Sequence, residues 1–318
     1  MKIISAKNIC KGFSKSSFDW KKFHFDKSET LAVNNLSLEI EEGEFIGFLG
    51  PNGAGKTTFL KMLSGIIYPD SGGATVLGFT PWERKFEFLH QIAIVMGQKN
   101  QLWWDLPAID SYKLLKEVYE IDDARFKKNL DYMVDSLDMK DLLTKRLRSM
   151  SLGERMKCEL VACFLHDPKV IFLDEPTIGL DVVSSQAIRT FLKSINKEKK
   201  CTIILTSHYM ADVDELCKRV VIINKGKKIY DGELEKLKTK YAPEKKIQIF
   251  LPTLEDREKF AHLPIDQKRI WDGNGIITIA KDKLGNIITK VFELFPAENI
   301  TISDPDTEEV ISKIFSEK

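Results

Sequence analysis

The sequence lacks the features that mark several large classes of protein. Among its 318 residues, 48 Lys and Arg balance 47 Asp and Glu, so the formal net charge is only +1. Without a basic excess, nucleic acid is not expected as a partner. No apolar run approaches the roughly 18 residues that a transmembrane helix needs. The first residues, interrupted at Lys7 and Asn8, lack the apolar core of a signal peptide. If the chain works at a membrane, we expect another chain to supply the spans.

The cysteines also point away from a metal or redox protein. There are five of them, and none forms a C-x-x-C pair. Zinc binding and dithiol chemistry are therefore not expected. Cys158 and Cys163 fall within an apolar, helix-like stretch, which favours buried thiols. An odd, scattered set of cysteines suits a reducing cytosol.

The strongest signal in the sequence is a glycine loop between a strand and a helix. The apolar run 45–49 predicts a buried parallel strand. The residues at 50–57 fit the pattern G-x-x-x-x-G-K-[ST], and a helix-like pattern follows. Glycines allow backbone N–H groups to converge on anionic oxygens, and a helix N-terminus adds positive charge there. Lys56 can reach the β- and γ-phosphates, and the Thr57 hydroxyl can bind Mg²⁺. The stretch therefore predicts a nucleoside triphosphate site.

Two further apolar runs end in residues that suit the same chemistry. The run 170–173 is followed by Asp174 and Glu175, and the run 202–206 is followed at one remove by His208. Asp174 suits direct or indirect binding of Mg²⁺, and Glu175 can polarise a water for attack on the γ-phosphate. Ligands of an open α/β sheet bind at the carboxyl ends of its strands, so we expect these side chains to meet.

Three other stretches are less decisive. Ser151 and Glu154 have the spacing of a capping box, which predicts a helix start. Trp103 and Trp104 are adjacent, and they suit either a core anchor or a groove that receives another protein. Residues 14–30 mix aromatics with lysines and show no clean periodicity. They suit either a flexible surface loop or a contact with a membrane or membrane partner.

The length allows two domains, and the composition changes near residue 240. We predict domains 1–240 and 241–318, with the charged stretch 233–246 as the linker. Residues 2–10 are expected to form an edge strand. The second domain shows the order βαββαβ of a small α+β fold. It carries no glycine loop, which favours an accessory role.

Taken together, the motifs resemble those of the nucleotide-binding subunits of ABC transporters, over nearly all of residues 1–240. Within that family the chain is similar to subunits of bacterial drug exporters whose membrane domain is a separate chain. The matching positions are the phosphate loop Gly50, Pro51, Asn52, Gly53, Ala54, Gly55, Lys56, Thr57 and Thr58; Gln98 of the glutamine loop; Ser151, Leu152, Gly153 and Glu154 of the signature sequence; Asp174 and Glu175; Asp181 of the D-loop; and His208.

The resemblance implies a fold, a reaction and partners. The fold is α/β: a P-loop NTPase core with an α/β subdomain, an antiparallel β subdomain and a helical signature subdomain. The reaction is ATP hydrolysis with Mg²⁺, in which Glu175, His208 and Lys56 are catalytic. Thr57, Gln98 and Asp174 are implied as the magnesium set. Two copies would sandwich each ATP, as a homodimer or alternatively a heterodimer, bound peripherally to a transmembrane permease at the cytoplasmic face of the membrane.

The sequence departs from the family pattern at the signature. Leu152 replaces a glycine and Glu154 replaces the usual glutamine, so we expect weaker affinity across the dimer interface. The adenine-stacking aromatic best matches Phe13, although the insert that follows offers other aromatics. The competing class is a soluble ABC ATPase that transports nothing. A P-loop kinase would leave the signature, Asp181 and His208 unexplained.

Overall fold

The computed structural model of the protein describes residues 1–19, 24–97, 100–241, 244–265, 268–280 and 283–316, and side chains are described except at 15–29 and 316. The chain forms two compact units, Met1–Gly232 and Glu233–Lys318. Within the described ranges, no helix combines the length and the apolar character that a membrane crossing requires.

The first unit is built on a six-stranded sheet. In spatial order its strands are β5 (Ile92–Met96), β6 (Val170–Asp174), β7 (Thr202–Thr206), β3 (Phe45–Leu49), β8 (Arg219–Asn224) and β9 (Lys227–Glu233). The first five run parallel, and every residue of β3 and β7 is buried. Burial on both faces explains why these strands read as continuous apolar runs. The predicted α/β core is confirmed.

A three-stranded antiparallel sheet joins this core. Its order is β2 (His24–Glu41), β1 (Lys2–Asp19) and β4 (Ser71–Val76). The prediction of an edge strand at 2–10 is wrong, because β1 lies between the other two. The surface-loop interpretation of 14–30 is also wrong for its described part, since β1 and β2 stay paired as far as Asp19 and His24. The contact role of this hairpin stays a prediction.

The first unit also contains α-helices. They are α1 (Lys56–Leu63), α2 (Phe86–Leu89), α3 (Ala108–Val118), α4 (Asp123–Ser136), α5 (Leu152–Phe164), α6 (Val182–Lys199) and α7 (Met210–Leu216). The core packs α1 and β3 against the antiparallel sheet, with Phe48 and Phe59 stacked at 5.2 Å between ring centroids.

The second unit is a four-stranded antiparallel sheet with helices, in the predicted βαββαβ order. Its elements are α8 (Leu234–Tyr241), β10 (Glu244–Phe250), α9 (Leu254–Ala261), β11 (Lys268–Trp271), β12 (Asn274–Ala280), α10 (Leu284–Leu294), β13 (Ile300–Ser303) and α11 (Thr307–Ser316). The sheet order is β11-β12-β10-β13. The predicted linker contains α8, which buries Leu234 and Leu237 and packs against α11. The structural boundary therefore lies eight residues before the predicted one at 240.

Candidate active site

The glycine loop lies between the end of β3 and the start of α1. At Gly55 φ is +104°, and a Cβ there would lie 2.0 Å from the carbonyl oxygen of Ala32. A Cβ at Gly50 would lie 2.4 Å from the carbonyl oxygen of Ile223. Only glycine fits at these two positions, because neighbouring backbone already fills the space. The loop is thereby pressed against the sheet, and the N-terminus of α1 faces into it.

Lys56 lies inside this loop rather than in solvent. It is 5% exposed, and its Nζ donates hydrogen bonds to the carbonyl oxygens of Gly50 (2.6 Å) and Pro51 (3.2 Å). Burial lowers the pKa of the Lys56 ammonium group, and the carboxylates of Glu175 and Asp174 act in the opposite direction. The cation is therefore held next to two carboxylates, at the point where the loop can receive an anion.

Asp174 is the centre of a cluster of oxygen atoms. The Thr57 hydroxyl donates to its Oδ2 at 2.8 Å, and the Thr206 hydroxyl donates to its Oδ1 at 2.6 Å. These three side chains come from α1 and from the ends of β6 and β7. Thr206 was not predicted as a site residue. The only signal for it in the sequence is a polar residue at the end of an apolar run.

Glu175 and His208 are in direct contact. His208 Nε2 lies 2.8 Å from Glu175 Oε1, and both side chains are partly exposed. The backbone N–H of Glu175 donates to the carbonyl oxygen of Thr206 at 3.0 Å. At Glu175 φ is 55°, a left-handed conformation that is uncommon for residues other than glycine. The two predicted catalytic residues are thus brought together by adjacent strands.

These groups line one cavity of about 400 Å³ at the carboxyl edge of the sheet. Its walls combine the loop, the oxygen cluster and the contact between Glu175 and His208. The lining residues are Asn52, Thr57, Lys61, Met96, Gly97, Asp174, Glu175, Ile178 and His208. Gln98, predicted as a magnesium ligand, lies outside the described residues.

The loop that follows residues 98 and 99 is fastened to α5 by a buried carboxylate. Oε1 of Glu159 accepts hydrogen bonds from the backbone N–H groups of Gln101 (2.9 Å) and Leu102 (3.2 Å). Glu159 is 3% exposed, and burial raises its pKa. Sequence reasoning missed this residue because it lies on the apolar face of a helix.

The signature residues form the start of α5. The Ser151 hydroxyl accepts from the N–H of Glu154 (3.2 Å), and the Glu154 carboxylate accepts from the N–H of Ser151 (2.6 Å). The predicted capping box is therefore confirmed. Lys145 lies 3.1 Å from Glu154, and the pKa of Glu154 is lowered, first by the Ser151 N–H and also by Lys145. The Glu154 charge, expected to weaken phosphate binding, is thus partly offset inside the chain.

Asp181 starts the neighbouring helix α6. Its carboxylate accepts from the hydroxyl (2.6 Å) and the N–H (2.9 Å) of Ser184, and the hydroxyl bond is the first cause that lowers its pKa. A Cβ on Gly153 would lie 2.4 Å from Ser184 Oγ, so the starts of α5 and α6 pack closely. The next residues, Val182 and Val183, are 81% and 79% exposed. An apolar pair exposed beside Asp181 suits contact with another molecule.

The aromatic residues singled out in the sequence lie away from the core. Phe13 on β1 is 44% exposed, and Lys11 Nζ lies 5.8 Å from its ring centroid. Its adenine-stacking role stays a prediction. Trp103 and Trp104 are both exposed, so their interpretation as core anchors is wrong. The Arg155 guanidinium lies 4.8 Å from the Trp104 ring centroid.

Comparisons with known proteins agree with this geometry. The ABC transporter family model matches residues 33–178. The ABC transporter ATP-binding protein NatA of Bacillus subtilis is 35% identical over 68% of this chain and 88% of its own. The linearmycin resistance ATP-binding protein LnrL of the same organism is 30% identical over 72% of this chain and 69% of its own.

A solved structure also matches the fold. It is a dimeric ATP-binding cassette in a post-hydrolysis state bound to ADP and Pi, with a TM-score of 0.62 and 20% identity over 72% of this chain and 98% of that chain. At this identity the likeness concerns the fold alone. From the sequence relatives and the fold together, this chain belongs to the ABC transporter family and is one of its ATP-binding proteins.

Proposed function

We propose that the chain is the ATP-hydrolysing subunit of an exporter of drugs or other small molecules. The observation that carries this proposal is the cavity in which Thr57, Asp174 and the contacting pair Glu175 and His208 converge. The unit Met1–Gly232 is the proposed nucleotide-binding domain, and the unit Glu233–Lys318 is proposed as an accessory domain. The export class rests on relatives such as the linearmycin resistance protein.

The phosphate loop is the proposed binding site of the triphosphate. Phosphate oxygens would replace the carbonyl oxygens of Gly50 and Pro51 as partners of the Lys56 ammonium group. The N–H groups of the loop and of the first turn of α1 supply further donors. Binding an anion there would favour the charged form of Lys56, which burial disfavours. The residues assigned to this binding are Gly50, Pro51, Asn52, Gly53, Ala54, Gly55, Lys56, Thr57 and Thr58, with Phe13 on the adenine.

The oxygen cluster suits a magnesium ion. The Thr57 hydroxyl and the Asp174 carboxylate are hard oxygen donors 2.8 Å apart, which is the chemistry that Mg²⁺ prefers. Gln98 is a third proposed ligand. When bound, the ion would neutralise charge on the β- and γ-phosphates. Thr206 holds the Asp174 carboxylate in place from the opposite side, at 2.6 Å.

Glu175 and His208 are the proposed groups that act on the attacking water. The Glu175 carboxylate accepts a hydrogen bond or a proton from the water as its oxygen bonds to the γ-phosphorus. The bond from that phosphorus to the bridging oxygen breaks, and ADP and phosphate result. His208, whose Nε2 is 2.8 Å from Glu175, would hold the carboxylate and the γ-phosphate together. Catalysis by positioning and charge of this kind is typical of phosphoryl transfer.

The active form is proposed to be a dimer. Each motif occurs once in the chain, and Ser151, Leu152, Gly153 and Glu154 would meet the nucleotide on the other subunit. The exposed Val182 and Val183, next to Asp181, supply an apolar surface for that contact. A second copy of this chain is the proposed partner, and a related chain is the alternative.

A second cavity is the proposed docking site for a helix of the transmembrane partner. It has a volume of about 330 Å³ and lies among α2, α3, α5 and β5. Phe86 and Val118 at its rim are exposed, and His90 Nε2 and His166 Nδ1 have no hydrogen-bond partner among the described residues. A helix with apolar side chains and one polar tip fits these properties. This contact would hold the chain at the cytoplasmic face of the membrane.

The experiment is purification of the tagged chain from mildly solubilised membranes, with Mg-ATP turnover assayed on the eluate. We expect a polytopic membrane protein to co-purify and to alter turnover. As a matched test, Val118→Glu is expected to abolish co-purification and leave the turnover of the isolated chain unchanged. Turnover with no membrane chain bound would favour a soluble ABC ATPase that transports nothing.

A further inference from the structure

A buried carboxylate that none of the predicted motifs includes lies behind the active site. Asp212 on α7 is 0% exposed. Thr177, Ser207 and Arg189, which surround it, are 3%, 2% and 8% exposed. A buried charge is retained only where it is paired and hydrogen-bonded, so the arrangement of these partners indicates what the carboxylate does.

The two oxygens of Asp212 have different partners. Oδ2 accepts hydrogen bonds from two hydroxyls, those of Thr177 at 2.5 Å and Ser207 at 2.7 Å. Oδ1 accepts a hydrogen bond from Arg189 Nη1 at 3.0 Å. The N–H of Tyr209 donates to Ser207 Oγ at 3.0 Å, and the Ser207 hydroxyl lies closer to Asp212 Oδ2 than to its other acceptor, the Tyr209 carbonyl oxygen at 3.2 Å.

The two hydroxyls belong to the two catalytic segments. Thr177 lies two residues after Glu175, and Ser207 immediately precedes His208. The side chains of Glu175 and His208 are themselves 2.8 Å apart. One oxygen of Asp212 therefore joins, from the buried side, the backbone segments that carry the contacting pair.

The arrangement exceeds what charge balance requires. Arg189 also donates a hydrogen bond from Nε to Glu215 Oε2 at 2.9 Å. A guanidinium group can only donate hydrogen bonds. A second carboxylate therefore already faces the buried guanidinium. If Asp212 only balanced the charge of Arg189, two hydroxyls from different loops would not need to donate to Oδ2, the Asp212 oxygen to which Arg189 does not donate.

We propose that Asp212 is a positioning residue for ATP hydrolysis. Through the hydroxyls of Thr177 and Ser207 it sets the distance between Glu175 and His208, and Arg189 holds the Asp212 carboxylate in its orientation. The inference rests on the proposed function, since it concerns the same reaction. It predicts that weakening this network lowers kcat while ATP binding, which uses the phosphate loop, persists.

The test uses matched variants at Thr177. Thr177→Val keeps the shape and removes the donor, whereas Thr177→Ser keeps the donor and removes a methyl group. Thr202→Val is the control, because Thr202 is a buried threonine at the opposite end of β7 whose hydroxyl accepts from the Gly43 N–H at 2.9 Å. Steady-state kinetics with Mg-ATP and the thermal midpoint are measured for each full-length variant.

We expect Thr177→Val to lower kcat about 10- to 100-fold with KM for ATP changed less than about threefold, since small misplacements of catalytic groups have effects of this size. Thr177→Ser and Thr202→Val should keep kcat within about twofold, the latter even if its midpoint falls. A wild-type kcat in Thr177→Val, or a loss of kcat in Thr177→Ser equal to that in Thr177→Val, would overturn the inference but not the proposed function. A wild-type chain without Mg-ATP turnover would overturn the proposed function, and the inference with it.

Discussion

Glu175 holds an uncommon backbone conformation, with φ at 55°, at the point where it enters the active site. Strain of this kind persists only when surrounding contacts impose it. Here the Glu175 N–H donates to the carbonyl oxygen of Thr206, and Gly97 packs closely against the carbonyl oxygen of Glu175. The direction of the Glu175 carboxylate therefore depends on the end of β5 as well as on β6 and β7.

Gly97→Ala tests this dependence. A Cβ at Gly97 would lie 2.4 Å from the carbonyl oxygen of Glu175, so either segment must move. We expect kcat for Mg-ATP to fall about tenfold or more, with nucleotide affinity less affected. Gly73→Ala on β4 is the control, because a Cβ there meets nothing within 4 Å. Equal kcat in the two variants would show that Gly97 has no such role.

His166 gives a prediction for stability against pH. It is 5% exposed, and burial lowers its pKa from 6.5 to about 4, against the effect of the Ile92 carbonyl. The unfolded chain therefore takes up a proton near pH 6.5, and the folded chain does so only near pH 4. Stability is lost as the pH falls through that window, by about 2 kcal/mol between pH 6.5 and 5.

The measurement is urea unfolding of the first unit at pH 7 and pH 5. In a Trp271→Phe background, all remaining tryptophans belong to that unit, so fluorescence follows it alone. His166→Gln should lower the stability at both pH values and flatten its pH dependence. A pH dependence unchanged in His166→Gln would contradict the assignment to this residue.

At the scale of residues, the sequence predicted the groups that end apolar runs and missed those that support them. Asp174, Glu175 and His208 follow strand-like stretches, so their meeting at the sheet edge could be foreseen. Thr206, Asp212 and Glu159 act through partners 32, 35 and 58 residues away in the chain. No local pattern carries a contact at such a separation.

Helix α5 shows how one element serves both stability and the site. Its first turn satisfies its own N–H groups through Ser151 and Glu154, and Lys145 lies beside the Glu154 carboxylate. The N-terminus of a helix attracts anions, and an uncompensated carboxylate would reduce that attraction. Lys145 thus bears on the proposed contact with the nucleotide of the other subunit.

Lys145→Ala is expected to weaken ATP-dependent dimerisation about threefold, since partly exposed ion pairs have modest effects. Lys145→Ala combined with Glu154→Gln should recover most of the loss, because the unbalanced carboxylate is then gone. Dimer dissociation constants in Mg-ATP, by sedimentation in low and high salt, provide the measurement. A double variant as weak as the single one would show that Lys145 acts otherwise.

Helices and strands were predicted well where the apolar pattern of the sequence was strong. They were predicted poorly where strand pairing or helix packing determined the structure. Each buried strand of the large sheet reads as an apolar run, and the capping box marks the start of α5. The central place of β1 depends on its pairing with β4, which no local pattern encodes. Helix α8 is rich in charge, and its burial of Leu234 and Leu237 against α11 distinguishes it from a linker.

At the scale of the whole molecule, one chain carries each motif once. The phosphate loop and the contacting pair form one half of the proposed site, and the starts of α5 and α6 form the other half. The exposed Val182 and Val183 and the near-neutral charge of the chain are compatible with self-association. Closure of two copies around ATP would then link hydrolysis to movement of the partner.

The most direct measurement is the mass of Glu175→Gln in solution at saturating Mg-ATP. This change keeps the size of the side chain and one acceptor oxygen but removes its basicity, so ATP should bind without turnover. We predict a stable dimer with Mg-ATP, a monomer with Mg-ADP, and no dimer when Lys56→Ala is added. A Glu175→Gln chain that remains monomeric with ATP bound would contradict the proposal that two copies share the nucleotide.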